Sequence, residues 1–257
     1  NPLPSPGNPG LDDFTGASIM IRLRSVELEL PQTESAGKFL TEAWGLVAAG
    51  NHGTSRFFRG TGDHAYILSL TEAPETRVAS ITFSGTKEEV QGVAQRAKAA
   101  NVVHQPMRSF DEPGKGHGFL LQGLEGQIYR FVTETEPVAK LPDDVNRPIQ
   151  LTHAVMNSTD REACIDFAVN IFGFRVSDRT AMMSFARCNN QHHALAYVKS
   201  DLCSLNHLAF EMVSLEAVML GIGRMRDHKV PLVWGPGPHG PGNNVFGYFI
   251  SPLDRKS

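Results

Sequence analysis

Cysteine is scarce in this sequence. Its three residues (Cys164, Cys188 and Cys203) are odd in number and form no CxxC pair, which argues against a disulfide framework or a zinc ribbon. A reduced, cytoplasmic setting is the simplest fit. Long apolar runs are also missing: none approaches the roughly 18 residues that a membrane-spanning helix needs. There is no block of like charge, and the net charge is −3, so a nucleic-acid or polyanion partner, held by clustered Lys and Arg, is not expected. What is present is an ordinary globular mixture, 41% apolar and 20% charged over 257 residues. That length suits one large domain or two smaller ones. The opening NPLPSPGNPGLDDFTGASI is rich in Pro and Gly and lacks both a basic n-region and an apolar core, so it does not read as a signal peptide. Residues 1–19 are expected to form a tail outside the fold.

The chain repeats itself. KFLTEAWGL and IDFAVNIFGF are helix-like segments ending at Gly45 and Gly173, and 173 − 45 = 128. RGTGDHAYILSL begins at Arg59 and RCNNQHHALAYV at Arg187, again 128 apart. VASITF around Ser80 matches LNHLAF around His207 at an offset of 127. A recurring period of this kind is the mark of a duplicated unit. Within each half, period-2 segments such as AYILSL, VASITF and HALAYV read as strands. KEEVQGVAQRAKAANV and SLEAVMLGIGRMRDHKV read as second helices. The expected organisation is an N-terminal domain over 20–135, a polar, Pro-containing linker over 136–147, and a C-terminal domain over 148–257.

Histidines distinguish the halves. The second half carries His153 in its first strand, the pair His192-His193 at the head of another, His207 inside a third and His239 in a Gly-rich loop. The first half has Ser25, Ala65 and Ser80 opposite His153, His193 and His207. One half is therefore expected to keep a site that the other has lost. A lone histidine is more often a surface or packing residue, and His52, His64, His104, His117 and His228 are read that way. His153 and His207 sit among apolar neighbours, where an unpartnered imidazole is costly. A metal is one possible partner, and imidazole suits iron, zinc, copper or nickel. His192 and His193, taken as strand neighbours, should point to opposite faces, so that only one faces a given cavity. The loop GPGPHGPGNN lacks the Lys-Ser/Thr ending of a phosphate-binding loop and is expected to carry His239, Asn243 and Asn244 over the mouth of a site.

LTHAV, HHALAY, LNHLAFEM and HGPGNNVFGYFISP, in this order and spacing, resemble the C-terminal half of type I extradiol ring-cleavage dioxygenases of the vicinal oxygen chelate (glyoxalase/bleomycin resistance) superfamily. The resemblance covers nearly all of the chain after Met20. It implies an α+β fold of tandem βαβββ modules, two per domain, each pair forming an open barrel-like mixed sheet. It also implies Fe(II), more rarely Mn(II), held by two His and one Glu. The substrates would be a catechol-type aromatic diol and O2, and the protein would be a cytoplasmic homo-oligomer of aromatic catabolism. Carried over by motif, His153 and His207 would be the metal ligands. His193, His239 and Tyr248 would be the catalytic acid/base and hydrogen-bonding groups, and His192, Val155 and Asn243 would line the substrate pocket. The chemistry suits these residue types: a catechol loses a proton on binding, an imidazole can hold and return it, and a phenol can donate to a developing oxyanion.

One ligand has no counterpart. The family's Glu falls a few residues beyond a strand resembling FISP, where this sequence reads FISPLDRKS. The first half places Arg130 at the matching position, which projects to about residue 259. The last strand and the third ligand are therefore expected to be missing from this chain, with Asp254 too early in the turn to substitute. Two other readings stay open: a metal-free protein of the same fold that binds an aromatic ligand, and a metal-dependent isomerase or lyase with ligands from both halves.

Overall fold

The computed structural model describes residues 21–254, for Asp254 the backbone only; the expected tail at residues 1–19 lies outside the described residues. Four modules follow one another. The first comprises β1 (Arg22–Leu30), α1 (Thr33–Lys38), β2 (Val47–His52), β3 (Ser55–Arg59) and β4 (Leu68–Glu72). The second comprises β5 (Arg77–Ser84), α2 (Lys87–Ala99), β6 (Arg108–Ser109), β7 (His117–Gln122) and β8 (Ile128–Thr133). The third is β9 (Leu151–Ser158), α3 (Arg161–Phe167), β10 (Arg175–Arg179), β11 (Met183–Arg187) and β12 (Leu195–Lys199). The fourth is β13 (Ser204–Phe210), α4 (Leu215–Asp227), β14 (Leu232–Pro238) and β15 (Val245–Phe249). No helix among the described residues is long and apolar enough to cross a membrane.

Local chemistry sets the helix limits. Thr86 and Glu89 form a reciprocal capping box on α2, and Asp160 and Ser214 cap α3 and α4 through Ala163 N and Ala217 N, each satisfying N–H groups that have no partner inside the helix. α1 and α3 each run on into a wider π turn, Phe39–Ala43 and Ala168–Phe172. The turns close near Gly45 and Gly173, whose φ of 90° and 80° suits a residue without Cβ.

The first eight strands form one mixed sheet in the order β2-β3-β4-β1-β5-β8-β7-β6. The second half gives a five-stranded sheet, β10-β11-β12-β9-β13, and a separate pair, β14-β15. The pairings correspond: β1 runs parallel to β4 and antiparallel to β5, as β9 does to β12 and β13. Alternation along each strand divides its residues between two faces. Val26, Leu28, Ile81, Phe83, Tyr129 and Phe131 of the first sheet join Ala154, Met156 and Tyr197 of the second, with Phe172 and Phe174, in one apolar core spanning both halves. Within it the hydroxyls of Tyr129 and Tyr197 meet at 2.6 Å. At its rim the Glu125 carboxylate accepts from Thr159 N, Thr159 Oγ1 and Asp160 N at 2.6–3.1 Å, fastening the second module to the start of α3.

The opposite face of the first sheet is polar and buried. Arg130 donates to Glu27 at 2.9 Å, to Glu112 at 3.0 Å, to Tyr66 Oη at 2.7 Å and to Thr82 Oγ1 at 2.8 Å. Ser25, Ser80 and Thr82 all donate to Glu27 at 2.6–2.7 Å, and Arg24 pairs with Glu112 at 2.6 Å. Burial alone would raise the Glu27 carboxyl above its ordinary range; Arg130, Arg24 and the serine donors outweigh that and hold it below.

Truncating one partner of such a buried pair leaves the other charge uncompensated, so Arg130→Leu should cost about 3–5 kcal/mol in urea denaturation. Arg77→Ala, which breaks an exposed pair with Glu29, should leave the midpoint nearly unchanged. Glu27 also predicts an acid-side effect. Its folded pKa lies below the unfolded value of 4.5, so the unfolded chain takes up a proton first as the pH falls. Its stabilisation is present above that pH and is lost below it; Glu27→Gln should flatten this part of the stability–pH curve.

Candidate functional site: a histidine–tyrosine cavity in the second half

Strand parity carries the same inner face into the second half. Ser25 and Glu27 of β1 correspond to His153 and Val155 of β9, and Ser80 of β5 to His207 of β13. The rings of His153 and His207 lie 5.5 Å apart, near perpendicular. His193, from the bend ahead of β12, brings its ring to 4.0 Å from that of His153. Tyr248 on β15 sets its hydroxyl 3.2 Å from both His207 Nε2 and His239 Nε2. A phenol carries one proton, so it donates to one imidazole and accepts from the other. His239, just past β14, stacks on Phe246 with centroids 3.8 Å apart and meets Trp234 edge-on at 5.0 Å.

These groups line a cavity of about 610 Å³, with His153, His192, His193, His207, His239 and Tyr248 on its wall and Trp44 reaching in from the first half. Burial keeps the imidazoles neutral. It pushes His193 down to about 3, helped by His192, His207 and His239, and His207 down to about 4, helped by His239. His153 is held well below its ordinary value by burial and then by His193 and His207. Burial raises the Tyr248 phenol. At neutral pH the wall thus offers uncharged nitrogens and a protonated phenol, groups that exchange hydrogen bonds with hydroxyls.

The donor set fits a metal only in part. His153 and His207 supply imidazoles, yet no group of three or more His, Cys, Asp or Glu side chains able to hold a metal ion occurs among the described residues. The Asp254 side chain lies outside them. A two-histidine, one-carboxylate centre is therefore not formed by the described side chains. What these side chains can do by themselves is bind hydroxyl groups through hydrogen bonds.

Several expectations need correction. His192 and His193 both line the cavity, and their Nδ1 atoms are 2.9 Å apart. They precede β12, which starts at Leu195, so strand alternation does not separate them. Val155 does not line the cavity: it is fully buried with Phe185 and Ala196, one step further along β9 than His153 and covered by Phe185. Asn243 is exposed and does not line the cavity, whereas its neighbours Gly242 and Asn244 do. The sequence reading missed Trp44. It precedes Gly45 in the first half, and nothing in its local pattern signals a contact across the halves.

Residues 150–252 match the sequence model of the Glyoxalase/Bleomycin resistance protein/Dioxygenase superfamily. Metapyrocatechase 2 of Cupriavidus necator is 27% identical over 248 residues, 88% of this chain and 76% of that protein. The Mn(II)-bound glyoxalase from Novosphingobium aromaticivorans superposes with a TM-score of 0.86 at 27% identity, covering 91% of this chain and 80% of its own. The 2,3-dioxygenase LapB from Pseudomonas sp. KL28 superposes with a TM-score of 0.82 over 93% of this chain and 91% of its own. At 18% identity that last likeness is one of fold. The second half of the chain is thus a domain of the glyoxalase/bleomycin resistance/dioxygenase superfamily, and the α+β architecture is the vicinal oxygen chelate fold of these neighbours.

The loop behind His239 supplies a local test. Gly242 has a φ of 77°, and a Cβ there would stand 3.2 Å from the His192 ring, whereas Gly240 has a φ of −63° and nothing within 4 Å. Gly242→Ala should cost about 1–2 kcal/mol, and Gly240→Ala should stay within about 0.5 kcal/mol, both read by urea denaturation.

Proposed function

We propose that the cavity between β13 and β15 takes a catechol-type aromatic diol, as an extradiol dioxygenase site does, and that the chain derives from enzymes which cleave such rings with O2. The observation that carries this reading is the convergence of His193, His239 and Tyr248 on a partly apolar cavity next to the His153/His207 pair. The likeness to metapyrocatechase supports it. In this reading Phe246 and Trp44 pack on the ring. The His239–Tyr248 pair exchanges hydrogen bonds with one hydroxyl, and neutral His193 accepts a hydrogen bond from the other. Ring cleavage with Fe(II) and O2 calls for a third donor beyond the described side chains, so binding of the diol is the part these residues perform by themselves.

A metal-free aromatic-binding protein is a second reading, in keeping with a donor set that is incomplete among the described residues. An isomerase or lyase with ligands from both halves is disfavoured. The first half contributes Trp44 to the cavity, while Glu27, Ser25 and Ser80 are tied into the Arg130 network.

Titrating the purified chain with 4-nitrocatechol and 4-nitrophenol, followed by the shift in absorption, tests the reading. The diol should bind about tenfold more tightly than the monophenol, and His239→Ala or Tyr248→Phe should each weaken it about tenfold, the value of one or two hydrogen bonds. Equal affinity for both probes, unchanged by either substitution, would contradict it.

A further inference from the structure

We infer that Asn206 and Asp178 are positioning residues of the cavity: through hydrogen bonds and charge they fix the tautomers of His207 and His193, so that the wall presents acceptors and selects a ligand with two O–H donors. The tautomers follow from the bonding pattern alone; the ligand preference rests on the diol reading above.

A chain of hydrogen bonds runs from Ser204 to His239. Asn157 Nδ2 donates to Ser204 Oγ at 2.8 Å, and Asn206 Nδ2 donates to Asn157 Oδ1 at 2.7 Å. The amide oxygen of Asn206 is thereby turned to His207 Nδ1, 2.7 Å away. An amide oxygen only accepts, so the neutral His207 ring carries its proton on Nδ1 and a lone pair on Nε2. Tyr248, 3.2 Å from that Nε2, donates to it, and its oxygen then accepts from His239 Nε2, also at 3.2 Å. Every link points the same way, which lets neighbouring bonds polarise one another.

His193 is set from another side. Asp178 Oδ2 lies 3.8 Å from His192 Nε2, beyond direct hydrogen-bond range, but its negative charge favours an N–H over a lone pair there. His192 Nδ1 is then an acceptor, and His193 Nδ1, 2.9 Å away, is the donor. His193 Nε2 keeps a lone pair, with no protein hydrogen bond among the described residues. His153 follows the same rule. Thr152 Oγ1 gives its proton to the Ala209 carbonyl at 3.3 Å and so accepts from His153 Nδ1 at 3.0 Å. The cavity therefore meets its ligand with the Nε2 lone pairs of His153 and His193 and with a remaining lone pair on Tyr248 Oη. A catechol with both protons in place brings two donors to this wall. Its monomethyl ether brings one, and the ether oxygen would face an acceptor it cannot bond.

Nitrogen NMR of the histidine side chains in the metal-free chain at neutral pH, which reads each tautomer directly, is the test. The expected pattern is Nδ1–H for His153, His193 and His207 and Nε2–H for His239. Asn206→Leu turns an apolar group to His207 Nδ1, so the proton should move to Nε2, where Tyr248 accepts it. Asn206→Asp keeps an acceptor in place and should retain the Nδ1–H form. Asp178→Leu lets the His192–His193 bond run in either sense, and His193 should then show both tautomers. By calorimetry, catechol should bind at least about tenfold more tightly than its monomethyl ether. Asn206→Leu, which releases the Tyr248 proton towards the ligand, should narrow that ratio to about threefold or less. An Nε2–H tautomer at His207 in the unaltered chain, the mark of the same bonds running in reverse, would overturn the inference. So would an Nδ1–H form that survives Asn206→Leu. A chain that binds neither ligand counts against the diol reading, and the spectra still decide the tautomers.

Discussion

A polar group removed from water must be met by another, and the inner face of this fold is arranged around that constraint. In both halves the strands next to the sheet centre turn polar side chains inward at the same positions. The first half satisfies them internally: Arg130 on β8 stands among Glu27, Glu112, Tyr66 and Thr82, and the serines complete the carboxylate's bonds. The second half has imidazoles instead, and no strand among the described residues in the place of β8. Its polar face therefore opens into a cavity, and its histidines stay neutral through burial. One half is a closed structural unit and the other an open site, although their backbones repeat each other.

The shared core keeps the open half in order. Tyr129 bonded to Tyr197, Arg96 donating to the carbonyls of Ile171 and Phe172, and Glu125 at the start of α3 all tie the second module to the third. β9 and β12, which position His153 and support His193, rest on this buried framework. β13, α4 and β15 are less covered, so the walls of the cavity have unequal support.

Much of this was legible in the sequence. The 128-residue offset locates the paired modules because helix-ending glycines and strand patterns recur together, and the swap of Ser25 and Ser80 for His153 and His207 marks the half with the site. Other features were not legible. The opposite-face assignment for His192 and His193 failed because those residues lie in a bend, where period-2 alternation does not hold. Val155 has the parity of the cavity wall but lies beneath Phe185, a depth that strand pattern does not encode. Arg130 stands out in the sequence only as a departure from an expected Glu; its four partners come from β1, β5, the stretch before β4 and the loop before β7, which only folding brings together. Trp44 reaches the cavity across the two halves, a contact without local pattern.

The central claim is that the His193–His239–Tyr248 wall recognises the two adjacent hydroxyls of an aromatic ring. A crystal structure of the chain soaked with catechol tests it most directly. The account predicts the ring inside the cavity beside Phe246, with one hydroxyl oxygen within about 3.2 Å of the His239–Tyr248 pair and the other within the same distance of His193. A ring bound elsewhere, or one whose hydroxyls face solvent while its apolar edge meets the histidines, would contradict it.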